Sequence, residues 1–474
     1  MTPKKIIIFA VGPLGAAFLS FLTLPVLTWV AEVEDIGRVA MLQVLISLSF
    51  VLSSFGLDQA FVRDYYEHKE KGPLFKAAFL PGFIFLLLML IGVEFLSFDK
   101  IQEYTSLEQR GMLWMASACM LTNFFNTFLS HSLRMDEKGW EYSLSLLVPK
   151  VVFLLSIMLA VSLQSVPDFH FLLNVQLLAL VCAMTLMLVS CKDILVSSIK
   201  SHFSVELFKE LFKFGFPLVF GSVAYWGLTT FDRIALSLWS DLAELGVYSV
   251  GVSFAAIGII FQSIFSTVWS PIVYKWAVVG LDASKIDSVV EHVTAFIVLV
   301  FCSVGLLSFL ITYLLPGQYF QVQFIVGSCL GFPLLYTLSE TTVIGVHIKK
   351  KTSIAIIAPM LAFPTNLLLA YLLIPVYGAA GAAVSTSMAF FVFLVVRTES
   401  SVRVWRPFKR WKIYSAVLLC LLVSTLQALF GLKMGWTLQL AWCLVLALMI
   451  FLFKNNYLYL VKNLIIQLTQ MLRS

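Results

Sequence analysis

Residues 74–97 read LFKAAFLPGFIFLLLMLIGVEFLS and show the pattern from which the fold class can be predicted. It carries no charged residue between Lys76 and Glu94, and a helix of about 20 mostly apolar residues is long enough to cross a bilayer. Similar stretches recur from Ile6 to Phe453, and no long polar segment separates them. The pattern predicts an all-α, polytopic membrane protein.

The composition is that of a chain with little water-exposed surface. Of its 474 residues, 60% are hydrophobic and 12% are charged, whereas soluble domains carry about 25% charged residues. The net charge of +6 is spread over short loops rather than gathered in one patch, which argues against nucleic acid as a partner. The 7 cysteines and 6 histidines lack the spacing of metal ligands, so no metal site is predicted.

About fourteen transmembrane helices follow from a span length of about 20 residues. We place them near 6–30, 36–57, 74–97, 110–132, 141–164, 170–191, 212–238, 245–268, 290–314, 320–343, 353–374, 379–397, 413–431 and 436–453. The first apolar run is longer than the core of a signal peptide, and no small-residue cleavage site follows it. We therefore interpret it as a retained first helix.

Lysine and arginine follow the positive-inside rule for a chain with both termini in the cytoplasm. With that orientation, all but five of the 32 lysines and arginines lie on the cytoplasmic side, and the five are Arg38, Lys100, Arg110, Arg233 and Lys433. A missed span would exchange the two sides for every later loop, so the bias supports an even number of spans.

An internal repeat relates the two halves of the chain. Residues 34–39 (EDIGRV) and 243–248 (AELGVY) each separate two apolar segments, and Gly37 and Gly246 each precede a tyrosine by 28 positions. The first helix of each half would run from inside to outside, which predicts parallel repeats related by an axis along the membrane normal. We expect two pseudo-symmetric six-helix lobes and a C-terminal helix pair, at 1–200, 201–400 and 401–474.

Ionisable residues inside a span are costly and usually face the interior of the bundle. Asp232 and Arg233 are adjacent in helix 7, beyond Pro217. Arg233 offers a planar fork to a phosphate or an acidic sugar, and Asp232 would orient it or carry a coupling ion; a structural ion pair is the alternative. Lys150 lies in helix 5 and either faces a cavity or extends its ammonium group to the inner interface.

Other polar groups have two interpretations each. Asn123 and Asn126 share a face of helix 4 and either line a cavity or mediate polar packing between helices. Asp58, Arg63 and Asp64 close helix 2 on its inner side, as gating charges or as ordinary cytoplasmic ones.

Two basic runs are interpreted as topology signals that also contact anionic lipid, namely Lys349–Lys351 and Arg397–Lys412. The sequence has no Gly-rich phosphate loop, nucleophile elbow or metal-spaced cluster. We expect no catalytic residue and no enzymatic activity.

Several of these residues lie in motifs that resemble a known family. Residues 231–236 (FDRIAL) and 243–250 (AELGVYSV) resemble the "DR-hydrophobic … E-x-G-x-Y-S-x-A" region of the bacterial polysaccharide-unit flippases, the Wzx-type branch of the MOP superfamily. Residues 54–60 (SFGLDQA) are similar to the exit of that family's second helix, and 315–317 (LPG) and 374–383 (IPVYGAAGAA) to its later helices. The resemblance covers essentially the whole chain, with one departure at the ending Ser249-Val250-Gly251, where alanine is commoner.

The resemblance implies a two-lobed transporter for undecaprenyl-diphosphate-linked oligosaccharide, moved from the cytoplasmic to the periplasmic leaflet of the bacterial inner membrane. Such a lipid supplies O-antigen of lipopolysaccharide, capsule or a related glycan, and a polysaccharide polymerase and a chain-length regulator would be partners. A diphosphate needs cationic groups inside an apolar protein, and Arg233 and Lys150 are the candidates. No cofactor is expected, and the sequence does not choose between a proton and a sodium gradient as the driving force.

Three other functions are weighed against this one. A MATE-like cation-coupled exporter usually has twelve helices and acidic groups, in contrast to the extra C-terminal pair and the basic groups here. A lipid II-type flippase is a closer alternative. A membrane-bound polysaccharide polymerase would need a long outer loop or a buried histidine–aspartate pair, and the sequence shows neither.

Overall fold

The structure is a computed structural model that describes residues 3–96, 110–164, 166–279, 283–349, 351 and 354–458. Lys100, Lys462 and Arg473, which contribute to the predicted topology, lie outside the described residues. Within these ranges the chain forms α-helices, short 3-10 helices and loops, with no β-strand. The all-α class is thus confirmed.

Nineteen α-helices follow one another along the described residues. Their bounds are α1 Pro3–Thr28, α2 Val33–Ser53, α3 Leu57–Asp64, α4 Lys71–Leu96, α5 Arg110–Met135, α6 Gly139–Ser162, α7 Phe169–Ser190, α8 Lys192–Lys200, α9 Val205–Trp239, α10 Leu242–Phe254, α11 Ala256–Val279, α12 Ala283–Leu307, α13 Val322–Cys329, α14 Gly331–Thr342, α15 Ile344–Ile348, α16 Ile354–Tyr377, α17 Ala379–Val404, α18 Trp411–Met434 and α19 Thr437–Leu452. Two 3-10 helices, Ser308–Tyr313 and Gly317–Tyr319, lie between α12 and α13.

Most of these helices can cross a membrane. Eleven spans of the described chain are long and apolar enough, and α10 with the first part of α11 makes a twelfth if the two count as one broken span. The predicted spans near 110–132 and 436–453 correspond to α5, which is not among these candidates, and to α19, which has only 16 residues. The chain is a multi-pass membrane protein, and the count of fourteen stays a prediction.

The chain packs as two compact units, Met1–Ser253 and Phe254–Ser474, here called the N-terminal and C-terminal units. The predicted lobe boundaries near 200 and 400 stay predictions. Below, the inner end of a helix is the end that the charge bias predicts to be cytoplasmic, and the outer end is the opposite one.

Aromatic side chains form the core of the N-terminal unit. Phe79 of α4 lies 5.4 Å from the ring centroid of Phe124 and 5.5 Å from that of Phe128, both on α5. All three belong to one cluster of buried residues that extends from α2 to α9. Because tight packing rather than hydrophobicity holds helices together in lipid, this interlocked cluster is a rigid base for the rest of the unit.

In the C-terminal unit, close approach of α14 and α17 makes the centre. A Cβ atom at Gly331 would lie 2.4 Å from the Cβ of Ser387, so only glycine allows this backbone separation. Small residues at helix interfaces are typical of membrane bundles. Nearly all residues of α14 and most of those of α17 are buried, which places these helices in the interior of the unit.

Candidate functional site

The two glycines of the predicted repeat meet at the outer end of α2. A Cβ atom at Gly37 would lie 2.1 Å from the carbonyl oxygen of Leu242, and one at Gly246 would lie 2.2 Å from that of Val33. Each glycine therefore contacts the residue four positions before the other, so the contact is reciprocal. This is the geometry expected where equivalent helices of two repeats, α2 and α10, cross at a local two-fold axis.

A second backbone contact closes the inner end of α2. Gly56 adopts a left-handed conformation with φ of +69°, which glycine tolerates without strain. A Cβ atom at Gly56 would lie 2.2 Å from the carbonyl oxygen of Gly215 on α9, and one at Gly215 would lie 2.6 Å from the carbonyl oxygen of Gly56. α2 is thus held by glycine contacts at both of its ends.

Between these contacts α2 and α9 interact through side chains. The indole Nε1 of Trp226 donates a hydrogen bond to Ser47 Oγ at 3.0 Å. Nearer the outer end, Ser237 Oγ lies 4.0 Å from the sulfur of Met41. α9 itself runs without interruption past Pro217.

Asp232 and Arg233 lie on this segment of α9, and both are turned toward Tyr248 of α10. Asp232 is fully buried, and its Oδ2 accepts a hydrogen bond from the Tyr248 hydroxyl at 3.1 Å. The half-buried guanidinium group of Arg233 lies 5.8 Å from the centroid of the Tyr248 ring, and its Nη1 donates to the carbonyl oxygen of Thr229 at 3.4 Å. The structure adds Tyr248, which the sequence analysis quoted in a motif without assigning it a role.

Lys150 is exposed on a side of α6 that also packs against α1. Ser143 and Leu147, on the same helical face, contact α1: the Ser143 hydroxyl donates to the carbonyl oxygen of Ile8 at 2.5 Å, and a Cβ atom at Gly15 would lie 2.6 Å from Leu147 Cδ2. A charged group on a protein-facing side of a membrane helix is exposed only where the helices leave an opening. Lys150 is therefore accessible on a protein-facing side of α6.

Asn123 and Asn126, the predicted pair on α5, lie in different surroundings. Asn126 is buried, and its Nδ2 donates to the carbonyl oxygen of Leu180 on α7 at 3.0 Å, which links two helices. Asn123 is half-buried on the neighbouring turn. For Asn126 the geometry is that of polar packing between helices.

At the inner end, Asp58 is separated from Arg63 and Asp64. Asp58 is buried at the start of α3, where Gln59 Nε2 donates to its Oδ2 at 2.9 Å and His131 Nε2 lies 4.0 Å from the same oxygen. Burial raises the pKa of Asp58 above the ordinary value for aspartate, and its hydrogen bonds oppose part of that rise.

Arg63 and Asp64 form a paired contact beside the inner glycine contact. Arg63 Nη2 donates to Asp64 Oδ2 at 2.6 Å, and its Nε donates to the other carboxylate oxygen. The guanidinium carbon of Arg63 lies 3.7 Å from the ring centroid of Phe214, the residue before Gly215. A cation–π contact of this kind joins α3 to α9 at the inner end.

Arg397 of the C-terminal unit has a different environment from the one predicted from the sequence. Arg397 belongs to a run interpreted as topology signals, but its side chain is only 9% exposed and its Nη1 donates to Glu340 Oε1 at 2.7 Å. The same nitrogen donates to Ser339 Oγ at 2.8 Å. The available signal was the position of Arg397 two turns before the end of α17, together with an acidic residue in a neighbouring span.

Comparison with known proteins gives a consistent group of relatives. A family model described as "Polysaccharide biosynthesis protein" matches residues 3–276. The Capsular polysaccharide biosynthesis protein CapF of Staphylococcus aureus is 28% identical over 215 residues, which are 42% of this chain and 52% of that protein. The chain therefore matches about half the length of this curated relative.

Two solved structures share the fold. "Lipid II flippase MurJ, inward closed conformation" superposes with a TM-score of 0.67 and 17% identity over 97% of this chain and 100% of that one. "Inward-facing conformation of a multidrug resistance MATE family transporter of the MOP superfamily" superposes with a TM-score of 0.54 and 15% identity over 87% of this chain and 98% of that one. At such identities the similarity establishes the fold alone, which this chain shares with both of these proteins.

Proposed function

Because this chain belongs to the polysaccharide biosynthesis protein family, we propose that it flips undecaprenyl-diphosphate-linked oligosaccharide from the cytoplasmic to the periplasmic leaflet of the bacterial inner membrane. The oligosaccharide would be a repeat unit of O-antigen, capsule or a related surface glycan. Both chain termini would lie in the cytoplasm, in accord with the charge bias of the loops.

The observation that carries the proposal is the position of charged groups between two backbone contacts. Asp232 and Arg233 lie on α9 between the inner contact at Gly215 and the outer contact at Gly246 of α10. Charged groups are kept inside a membrane protein at a cost that function usually explains. A half-buried cation between two closed contacts suits a ligand that is anionic and must be held away from water.

The chemistry of the cations fits a diphosphate better than a cationic drug. Arg233 presents a guanidinium group, which pairs with phosphate oxygens through parallel hydrogen bonds. Lys150 adds a point charge on α6. Both groups would repel a cationic substrate, which disfavours the alternative of a MATE-like exporter. A lipid II-type flippase would bind the same diphosphate, so only the attached glycan distinguishes that alternative from the proposed function.

Glycine contacts suit a gate that must close and reopen. In alternating access, the outer contact between α2 and α10 would separate while the inner contact between α2 and α9 persists, and then the reverse. The outer contact joins two backbones directly, so it can form and break without repacking a core. The inner contact lies beside the Arg63–Phe214 contact and the aromatic core, so its opening would also move those side chains. A proton or sodium gradient would supply the energy, and a polymerase and chain-length regulator would receive the product.

Deletion of the gene in its native host tests this function. We expect loss of the surface glycan and accumulation of complete lipid-linked repeat units in the cytoplasmic leaflet, as read by leaflet-selective labelling of the isolated lipid. Units that reach the periplasmic leaflet but stay unpolymerised would contradict the proposal, and so would an unchanged glycan. Accumulation of the peptidoglycan precursor instead would identify the lipid II alternative.

A further inference from the structure

The Arg397–Glu340 pair of the C-terminal unit lies at the partly exposed side of α14. Its two side chains are 9% and 14% exposed, so they are nearly but not wholly buried. The pair is neutral as a whole, because the carboxylate compensates the guanidinium group 2.7 Å away. Such a site has no net attraction for a diphosphate, in contrast to the unpaired ammonium group of Lys150.

Aromatic rings lie next to this pair on the same side of α14. Phe332, Tyr336 and Glu340 are partly exposed while almost every other residue of α14 is buried, and their spacing of four residues puts them on one side of the helix. The charged Glu340 on this side makes contact with lipid chains too costly, so the side faces a polar opening. The Tyr336 ring is stacked on Phe393 at 5.8 Å between centroids.

The guanidinium group of Arg397 is held against the rings of Tyr336 and Phe393. Its carbon lies 5.5 Å from the centroid of Tyr336 and 5.2 Å from that of Phe393. With Ser339 and Glu340 both accepting from Nη1, the orientation of Arg397 is set before any ligand arrives. The result is a rigid donor and a rigid acceptor beside an aromatic surface.

Two polar atoms of α11, one from each of two side chains, lie near this surface without a hydrogen-bond partner in the described part of the chain. Trp269 Nε1 donates to the carbonyl oxygen of Glu340 at 3.3 Å, and a Cβ atom at Gly258 would lie 2.8 Å from Pro333 Cγ. Gln262 and Ser266 fall between these two contacts of α11 with α14. Their Oε1 and Oγ atoms are buried and have no hydrogen-bond partner among the described residues.

We propose that α11, α14 and α17 of the C-terminal unit form a binding site for a sugar ring of the lipid-linked glycan. The apolar C–H face of a hexose stacks on an aromatic ring, and its hydroxyl groups both donate and accept hydrogen bonds. Tyr336 supplies the ring, Arg397 and Glu340 the donor and acceptor, and Gln262 and Ser266 the unused polar atoms. The ligand class rests on the proposed function, whereas the neutral, aromatic chemistry of the site does not.

The unpartnered atoms of Gln262 and Ser266 make it possible to distinguish a sugar-binding site from a purely structural ion pair. A buried polar atom without a hydrogen bond costs free energy, and native proteins retain few of them. If they serve only packing, replacing Gln262 by the similarly shaped methionine changes stability and nothing else. If they bind sugar, the same change raises stability and weakens binding.

The experiment measures binding of one soluble probe to the purified full-length chain in detergent. The probe is the host's repeat-unit oligosaccharide, released from its lipid by mild acid and therefore free of diphosphate, and the method is isothermal titration calorimetry. We expect saturable binding that weakens at least tenfold in Tyr336→Ala and Gln262→Met, with Tyr336→Phe retaining most of it. Gln262→Met should also raise the Tm of the unliganded protein.

Asp287→Asn is the matched control for Glu340→Gln. Asp287 pairs with Arg406 at 2.6 Å in the same unit, away from the aromatic surface. Loss of binding in Glu340→Gln but not in Asp287→Asn supports the site. Absence of saturable binding to the wild type overturns it, as does unchanged binding in Gln262→Met.

The two proposals fail separately. If gene deletion abolishes glycan export but the wild type does not bind the oligosaccharide, the sugar site is wrong and the proposed function stands. If the wild type binds the oligosaccharide through Tyr336 and Gln262 but deletion leaves export unchanged, the site stands and the flippase assignment is wrong.

Discussion

At the scale of single residues, the charged groups inside the spans differ in how they are compensated. Asp232 is fully buried and bonded to the Tyr248 hydroxyl, and Arg397 is neutralised by Glu340. Lys150 is exposed and has no ion-pair or hydrogen-bond partner among the described residues. Uncompensated cations are free to bind an external anion, so their removal should affect transport more than folding.

Arg233→Ala is expected to reduce glycan export at least tenfold while the protein reaches the membrane at its normal level. A hydrogen bond to a charged group contributes about 1.5–3 kcal/mol, and about 1.4 kcal/mol is a factor of ten. Arg233→Lys keeps the charge without the planar fork and should fall in between. Export is measured as surface glycan per membrane-inserted protein, and Lys433→Ala, an exposed cation at the predicted outer side, is the control.

Lys150→Ala should lower export in the same assay, and Lys150→Glu should lower it further because the new charge repels a diphosphate. Both variants leave the packing of Ser143 and Leu147 against α1 unchanged. Normal export in both Lys150 variants and in Arg233→Ala would rule out anion binding by these cations.

Asp58 gives a prediction of pH dependence. Because burial raises its pKa, the folded state binds this proton more tightly than the unfolded state does. Stability should therefore fall as pH rises from the ordinary aspartate pKa through the raised value, and stay level above it. In Asp58→Asn this fall disappears, so the variant should melt a few degrees above the wild type at pH 7 and by a smaller margin at pH 4.

The measurement is the Tm of the purified protein across that pH range. His131 lies 4.0 Å from Asp58 and also titrates, so His131→Gln is examined alone and with Asp58→Asn. A difference between Asp58→Asn and the wild type that grows toward low pH would show that the sign is wrong.

At the scale of elements, α2 makes a close glycine contact at each of its two ends. Its outer end crosses α10 at Gly37 and Gly246, and its inner end meets α9 at Gly56 and Gly215. The helices approach so closely that backbone atoms meet directly, which small residues allow in membrane proteins. A side chain placed at either contact would hold that end apart.

Gly37→Val is expected to lower export at least tenfold, because its Cβ would lie 2.1 Å from the carbonyl oxygen of Leu242 and prevent the outer contact. Overpacking of this kind costs about 1–3 kcal/mol. Gly246→Val should act alike, since the contact is reciprocal. Gly92→Val on α4 is the matched control, as a Cβ there would meet no atom within 4 Å. Equal export in Gly37→Val and Gly92→Val would exclude a gating role for the outer contact.

At the scale of the whole molecule, the orientation in the membrane follows from the charge bias. Lys69, at the predicted inner side, and Lys433, at the predicted outer side, are both exposed. In a background with its seven cysteines replaced, a membrane-impermeant maleimide added to spheroplasts should label Lys433→Cys, and should label Lys69→Cys only after permeabilisation. The opposite pattern would invert the predicted topology and with it the inner and outer ends used here.

Much of the architecture could be predicted because its determinants are local. Long apolar runs predict helices and spans. The two related halves that the repeat of Gly37 and Gly246 suggests stay a prediction. Of the residues in the two proposed sites, Asp232 and Arg233 were identified in the sequence from their cost in lipid, whereas Tyr248, Gln262 and Arg397 were not. Tyrosine and glutamine are common in ordinary helices, and an arginine near a helix end is equally typical of a topology signal.

Hydropathy and charge are enough to identify the class of protein, because they act on each segment separately and need no knowledge of its neighbours. Which helix faces meet is known only from the packed fold: Gly37 contacts Gly246, and Arg397 pairs with Glu340, 57 positions away. The physical reason is that buried and lipid-facing surfaces are both apolar in a membrane, so helical periodicity does not distinguish them. Shape complementarity and the pairing of rare polar groups make that choice, and both exist only once the helices have packed.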